Sequence, residues 1–312
     1  MKKLVLGSLN IDRVYQVHNI VRTGETILSY SYTEFCGGKG LNQAIALARA
    51  GSQVFFSGAV GEDGKMLTDM LAENNINNVD VMRLSCTSGH AIIQVDEKGK
   101  NCIIVCPAAN GEIGSSDIDC ALSGFNKGDL IVLQNEISNS DYAIRHASEI
   151  GMIVALNPSP ITSHLMEWPI ELVDYLVLNE HEGAMLAKTE DPCRILTVLS
   201  KKFPKTSFVL TLGRKGAIYM GKDGVKESCG AINVNAIDTT AAGDTFVGYF
   251  LHEITEGRPP QQALHVAAVA SGISVTRKGA EPSIPRRAEV NDFLTQADFL
   301  MRPQIICPNN GV

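Results

Sequence analysis

No apolar run in this sequence approaches the roughly 20 residues needed to cross a bilayer. No Cys-x-x-Cys pair occurs, and no histidine stands at the spacing of a metal site. The eight cysteines (Cys36, Cys86, Cys102, Cys106, Cys120, Cys193, Cys229 and Cys307) are scattered, which disfavours a secreted disulfide scaffold and predicts free thiols in a cytoplasmic protein. The seven histidines are equally dispersed, and none pairs with a serine or cysteine in a hydrolytic arrangement. Basic residues (27) are fewer than acidic ones (34), and a net charge of −7 excludes nucleic acid or an anionic membrane as the main partner. There is no internal repeat and no low-complexity tract. The first residues, Met1-Lys-Lys-Leu-Val-Leu-Gly, resemble a signal peptide only briefly, because the apolar run stops at Gly7-Ser8 and polar residues follow. They read as a first strand.

Two common nucleotide motifs are also missing. Gly37-Gly-Lys-Gly-Leu-Asn42 invites a P-loop reading, but Thr33 and Gly40 occupy the first and last positions of that motif. The dinucleotide pattern fails too, since Gln43 stands where its last glycine belongs. What remains is glycine-rich backbone that a ligand could approach closely, with Lys39 and Asn42 beside it, opening a helix that runs to Gly51.

What the chain does contain is enough apolar material (45%) for a large α/β domain. Short apolar runs at 4–9, 54–58, 130–133, 153–156, 175–178 and 208–212 predict buried strands. Helical patterns at 65–74, 141–150, 180–188, 193–202 and 266–275 alternate with them. That order predicts a three-layer αβα doubly wound, mostly parallel sheet. Segments 14–17 and 26–35, and the hairpin 91–95/101–105 about Asp96-Glu-Lys-Gly-Lys100, read as a second, small sheet over the main one. A closing sheet suits a reaction from which water must be excluded. The expected organisation is one domain over 1–296, a β lid inserted at about 12–36 and 89–107, and an irregular tail at 297–312.

Polar residues follow the strands, where ligands gather in such sheets. Asn10 and Asp12, two apart, can point the same way and hold adjacent hydroxyls, although Asn and Asp also make plain turns. Glu136, Asn157, Asn179, Glu182, Thr211 and Gly213 come after later strands. The most informative stretch is Asp238-Thr-Thr-Ala-Ala-Gly-Asp-Thr-Phe246, between a turn with a short alternating strand at 230–237 and a helical run ending near Gly257. Ala241, Ala242 and Gly243 lie where that helix begins, with unpartnered amides at its positive end, a ready anion pocket. Asp244 shares the turn. Taken alone it is as well explained by capping as by handling a hydroxyl proton beside a phosphate.

The string Asp238 to Phe246 resembles the carboxy-terminal signature of the ribokinase-type (PfkB) sugar kinases, and Gly37 to Asn42 their amino-terminal one. The resemblance extends over residues 4–296 and is closest to the ribose-phosphorylating members. It implies an ATP-dependent kinase acting on the primary 5-hydroxyl of D-ribose, with magnesium and potassium. By position it assigns the sugar to Asn10, Asp12, Gly38, Lys39, Asn42, Glu136 and Asp244, with Asp244 as base and the amides of Ala241, Ala242, Gly243 and Asp244 as anion hole. It puts Asn179, Thr211, Gly213, Gly216, Gly243 and Ala268 at the nucleotide, and Glu182 indirectly at magnesium. A monovalent cation falls to Asp238, Thr240, Ser274, Arg277, Gly279 and Ser283, several through their carbonyls. Two departures stand out. Ala268 occupies a place where relatives often carry a polar group, and Cys106-Pro-Ala-Ala109 replaces a more glycine-rich run. Family lids often pair two chains, so Ile92, Ile93, Ile103 and Ile104 are the expected homodimer contact. Alternatives are a kinase of deoxyribose, fructose or a nucleoside, and a non-catalytic sugar sensor.

Overall fold

A computed structural model describes residues 1–296; the predicted tail, 297–312, lies outside the described residues. The strands are β1 (Lys3–Leu6), β2 (Asn10–Gln16), β3 (Ser31–Gly37), β4 (Val54–Val60), β5 (Asn77–Arg83), β6 (Gly89–Val95), β7 (Asn101–Cys106), β8 (Leu130–Gln134), β9 (Ile153–Asn157), β10 (Tyr175–Asn179), β11 (Ser207–Thr211), β12 (Ala217–Met220) and β13 (Lys226–Cys229). The helices are α1 (Lys39–Ala50), α2 (Lys65–Glu73), α3 (Ser115–Leu122), α4 (Ser140–Ile150), α5 (Glu180–Ala187), α6 (Pro192–Lys202), α7 (Ala242–Thr255), α8 (Pro260–Ser274) and α9 (Arg287–Gln296).

Nine strands form the main sheet in the order β13-β12-β11-β10-β9-β8-β1-β4-β5. All neighbours are parallel except β11–β12 and β12–β13. Successive apolar residues enter opposite cores: Val5, Leu130, Val132, Val177 and Val209 pack on one face, and Leu4, Leu6, Ile131, Leu133, Leu176 and Leu210 on the other. Burial on both faces explains why these strands read as continuous apolar runs rather than alternating ones. The first core includes residues of α1, α7 and α8, the second residues of α3, α4 and α6, giving the predicted three layers.

From β1 the chain builds outward to β4 and β5 on one side and to β8, β9 and β10 on the other. The order reverses at β1 and β8, and the crevice beyond their carboxyl ends is where such folds bind ligands.

The second sheet has the order β3-β2-β6-β7 and stands apart from the first. Its hairpin forms as predicted, with Asp96 Oδ1 accepting from the amides of Lys98 (2.9 Å) and Lys100 (2.8 Å). Three differences have physical reasons. The first apolar run ends at Leu6, and Asn10 and Asp12 already belong to β2, so they face one way as alternate residues of a strand. Within 26–35 pairing begins only at Ser31. Residues 230–237 form no strand, because Ile232 packs beside Gly272 of α8 instead of finding a ladder partner. The expectation of free thiols holds for Cys36, Cys86, Cys102, Cys106, Cys120 and Cys229, but Cys193 is in a disulfide. Among the described residues no helix is long and apolar enough to cross a membrane.

Candidate active site

The helix N-terminus that opens α7 faces α1. Ala241 precedes α7 in the left-handed region (φ 58°), and the amide of Ala242 reaches the Thr239 carbonyl at 3.3 Å. The next amide to find a carbonyl is that of Thr245, bonded to Ala241 at 2.8 Å. Among the described residues nothing accepts from the amides of Gly243 and Asp244. The row of bare amides predicted over 241–244 is therefore interrupted at Ala242.

Asp244 does not cap its own helix. Its carboxylate, in a residue 6% exposed, turns toward α1, where Asn42 Nδ2 donates to Oδ2 at 3.1 Å and Gln43 Nε2 donates to Oδ1 at 2.9 Å. The capping reading of this aspartate therefore fails, since a capping carboxylate would bond back to its own first turn. Asn42 must present its NH2 to the carboxylate, so its buried Oδ1 is left with no partner. An orphaned buried acceptor costs about 1–3 kcal/mol, and a hydroxyl donor from a ligand would relieve it.

Glu136 follows β8. Its Oε2 accepts from Ser8 Oγ at 2.5 Å and from the amide of Lys39 at 2.9 Å, fixing the first turn of α1 against the end of β1. Burial pushes the Glu136 carboxyl up, and the Asp244 charge adds to this, against the pull of Lys39 and the two hydrogen bonds. Lys39 is held further into its charged form, first by Asp244 and next, against burial, by Glu136 and Glu182. Asp12 is pushed up to about 7, mainly by burial and then by Glu136 and Asp244. One ammonium and three carboxylates thus share one electrostatic neighbourhood, an arrangement typical of functional sites. Asn10, 4% exposed, accepts at Oδ1 from Asn110 Nδ2 (2.8 Å), and Asn110 in turn holds the Leu9 amide (3.1 Å).

The glycines near the site have separate reasons. Gly38 adopts φ 96°, which a side chain rarely allows. A Cβ on Gly37 would lie 2.2 Å from Asp12 Oδ2, so its absence leaves room for that carboxylate. A Cβ on Gly40 would strike the backbone of Ser8.

The remaining predicted residues fall into two groups. Asp238 Oδ1 accepts from the Thr240 amide (2.9 Å) and hydroxyl (2.6 Å), and Oδ2 accepts from the Gly279 amide (2.9 Å). These bonds outweigh burial and hold its carboxyl below the usual range. They tie the turn before α7 to the turn after α8. Arg277 turns its guanidinium to Glu289, Ser274 donates to Ser271 O (2.8 Å), and Ser283 donates to Ala280 O (2.7 Å). On the other side, Asn179 and Thr211 are register neighbours at the ends of β10 and β11. Asn179 and Glu182 cap each other, with Glu182 N to Oδ1 at 2.9 Å and Asn179 N to Oε2 at 3.0 Å. Thr211 donates to Leu178 O (3.2 Å), Gly213 opens a short 3-10 turn, and Ala268 is buried on α8. A Cβ on Gly216 would lie 1.9 Å from Cys229 O, so close strand packing alone requires that glycine. In the run that replaces glycines, Ala108 takes φ 43°, a conformation glycine would adopt without strain.

Sequence reasoning missed Ser8, Asn110, Gln134 and the role of Gln43. Gln43 counted only as the residue that broke a dinucleotide motif.

A mostly parallel nine-stranded sheet, a separate small sheet, and a carboxylate beside bare helix amides suit a phosphoryl-transfer enzyme. Residues 2–287 match the pfkB family carbohydrate kinase model, and the chain belongs to that family. It is 34% identical over 303 residues to the ribokinase of Haemophilus influenzae, covering 94% of this chain and 98% of that protein. It is 32% identical over 307 residues to the deoxyribokinase of Salmonella typhi, covering 93% and 98%. Among solved structures, that of Arabidopsis thaliana ribokinase complexed with ribose and ATP is similar at a TM-score of 0.82 and 27% identity, over 94% of this chain and 98% of the other.

Proposed function

We propose that this protein transfers the terminal phosphoryl group of ATP to the primary 5-hydroxyl of D-ribose. The observation that carries this is the carboxylate of Asp244, anchored by Asn42 and Gln43. It shares one helical turn with two bare amides and one field with Lys39, Glu136 and Asp12. In this reading Asn10, Asp12, Asn42, Lys39 and Glu136 hold the ring hydroxyls. Asp244 orients the 5-hydroxyl in line with the phosphorus and takes its proton late. A weak base suffices, because phosphoryl transfer has a loose transition state that asks for little early deprotonation. The amides of Gly243 and Asp244, with Lys39, stabilise the charge on the transferring group. The small sheet serves as the lid that excludes water.

Among the described residues no group of three or more His, Cys, Asp or Glu could hold a metal ion, so a magnesium ion fits here only as a companion of the nucleotide phosphates. Glu182, with one oxygen already closing its own cap, would reach that ion through water. Magnesium would supply charge neutralisation between the phosphates. The clasp of Asp238, Thr240 and Gly279 brings together the two turns that would present carbonyls to potassium. Asn179, Thr211, Gly213, Gly216 and Ala268 would line the nucleotide side.

A homodimer through the lid is part of the same proposal. By register, Ile92 and Ile104 lie on the face with Arg13, whereas Ile93 and Ile103 share the face of Asp12. Ile92, Ile103 and Ile104 are exposed and would offer a partner apolar surface on that sheet. A cytoplasmic location accords with the acidic charge and with the free thiols of Cys36, Cys86, Cys102, Cys106, Cys120 and Cys229.

The test is a substrate panel of D-ribose, 2-deoxyribose, fructose and adenosine, each with and without potassium. Ribose is expected to give the highest kcat/KM, higher still with potassium. A sugar lacking the 2-hydroxyl leaves a buried acceptor unpaired, a loss of about 1–3 kcal/mol, or roughly 5- to 150-fold. Equal or better turnover of deoxyribose would support the second reading, which the similarity to a deoxyribokinase favours. No phosphorylation of any of the four sinks the kinase reading.

The same site predicts a pH effect on sugar binding. Ionised Asp12 can accept a sugar hydroxyl at each of its two oxygens, whereas protonation turns one of them into a donor; its carboxyl is pushed up to about 7, so the competent form is lost as pH falls through that value. The KM for ribose should rise roughly tenfold between pH 8 and pH 6, one unit below the midpoint, while kcat at saturation changes less. A KM that stays flat across this window contradicts the role given to Asp12.

A further inference from the structure

We infer that Gln43 is a positioning residue, setting the orientation of the Asp244 carboxylate through a chain of buried side-chain amides; this rests on the kinase reading above. Gln43 has no exposed surface, and its Nε2 donates both to Asp244 Oδ1 (2.9 Å) and to Asn157 Oδ1 (3.1 Å). Its Oε1 accepts from Gln134 Nε2 at 2.9 Å. Asn157 Nδ2 is fixed to Val177 O at 3.0 Å. Gln134 and Asn157 are register partners at the carboxyl ends of β8 and β9, so two neighbouring strands of the central sheet clamp one glutamine from both sides.

Chemistry dictates the direction of every link. A carboxylate only accepts, so Gln43 must offer its NH2 to Asp244, and its carbonyl is left for Gln134. Asn157 must then turn its oxygen to Gln43, and its NH2 is free to reach Val177 O. No member can flip without placing two donors or two acceptors face to face. The arrangement is costly. Gln134 Oε1 is buried without a partner, and burying several amides here is less favourable than an apolar filling of the same volume. Packing alone does not account for it. What the chain delivers to the site is a rigid, charge-assisted donor at one oxygen of Asp244, while Asn42 holds the other. The two rotatable bonds of that aspartate are thereby fixed from two consecutive residues of α1, with the sugar on the open side. Gln43 itself touches neither sugar nor nucleotide in this scheme.

Gln43→Met keeps the volume and removes the donor. The expected result is a kcat lower by roughly 10- to 100-fold, the loss that follows when a reacting group is held less well. The dissociation constants of ribose and ATP, measured by calorimetry, should stay within about threefold. Gln134→Met removes the far donor, leaves Asp244 untouched and should give a smaller loss of the same kind. It keeps the question open to experiment if Gln43→Met fails to fold. In single-turnover phosphoryl transfer, Gln43→Met added to Asp244→Asn should lower the rate no further than Asp244→Asn alone, because both act through one group. A folded Gln43→Met enzyme with parental kcat, or a cycle in which the two losses multiply, overturns the inference. An unmodified protein that phosphorylates none of the sugars overturns the kinase reading instead, so the two failures are told apart.

Discussion

Asp244→Asn should lower the turnover number by about 10²–10⁴-fold, the range ascribed to a positioned general base, while nucleotide affinity changes little. Both oxygens of Asp244 accept from amide NH2 groups, Asn42 on one side and Gln43 on the other. An asparagine has one acceptor, so its own NH2 must face one of those donors in a buried place, at a cost of about 1–3 kcal/mol. The variant should therefore also unfold at a lower temperature. Lys39, held in its charged form first by Asp244, loses its strongest partner. The backbone is unaltered, and the amides of Gly243 and Asp244 remain for the phosphates, which is why ATP binding should survive. Steady-state kinetics with ribose, alongside calorimetric titration of the nucleotide, separates the two effects. Near-parental turnover would remove Asp244 from the chemistry, and a collapse of ATP affinity would mean that its charge, not its neighbours' amides, governs the phosphate end.

Much of the fold was legible because the central strands are buried on both faces. Leu4 and Leu6 enter one core and Val5 the other, and such runs stand out in any sequence. The strands that escaped notice are at or next to the edges: β5 carries Asn77, Asn78 and Asp80, and β12 and β13 have four residues each. The opposite error, a strand read into 230–237, came from the alternation of Ile232 and Val234, whose burial is against the first core rather than in a ladder. Within the candidate site, the residues that could be named from sequence are those carried by two compact strings: Gly38, Lys39 and Asn42 in one, Asp238, Thr240 and Ala241 to Asp244 in the other. Glu182 shows the limit of that method, since its local geometry is a capping box and would form with or without a ligand. How the residues that brace the site meet was not legible, although Asn157 stood out as a strand-end polar residue. Positions 43, 134 and 157 are joined only by the topology of α1, β8 and β9. A faint signal existed in each: Gln43 interrupts the small apolar face of α1, and Gln134 and Asn157 each close an apolar strand with a polar residue.

Gly40→Ala should damage both folding and turnover, and for a reason unrelated to ligand access. A Cβ there would lie 2.4 Å from Ser8 N, 2.6 Å from Gly7 C and 2.7 Å from Ser8 O, all backbone atoms that cannot rotate aside. The helix start is tied to that same backbone. Leu41 N donates to Ser8 O at 3.0 Å, and Gly40 N donates to Ser8 Oγ at 3.2 Å. Ser8 Oγ holds Glu136, which accepts from Lys39 N. Pushing α1 off the end of β1 thus shifts Lys39, Asn42 and Glu136 together. Overpacking of this kind costs about 1–3 kcal/mol, and a displacement near 1 Å at reacting groups costs on the order of 10²-fold in rate. The expected variant has a melting temperature several degrees lower and a kcat/KM for ribose reduced about 100-fold. Gly243→Ala is the contrast: nothing lies within 4 Å of its added methyl group, so its melting temperature should match the parent's. If Gly40→Ala kept both the parental melting temperature and the parental kcat/KM, the first turn of α1 would not be locked to β1 as the hydrogen bonds indicate. The glycine would then serve the approach of the sugar, the role its place in the sequence first suggested.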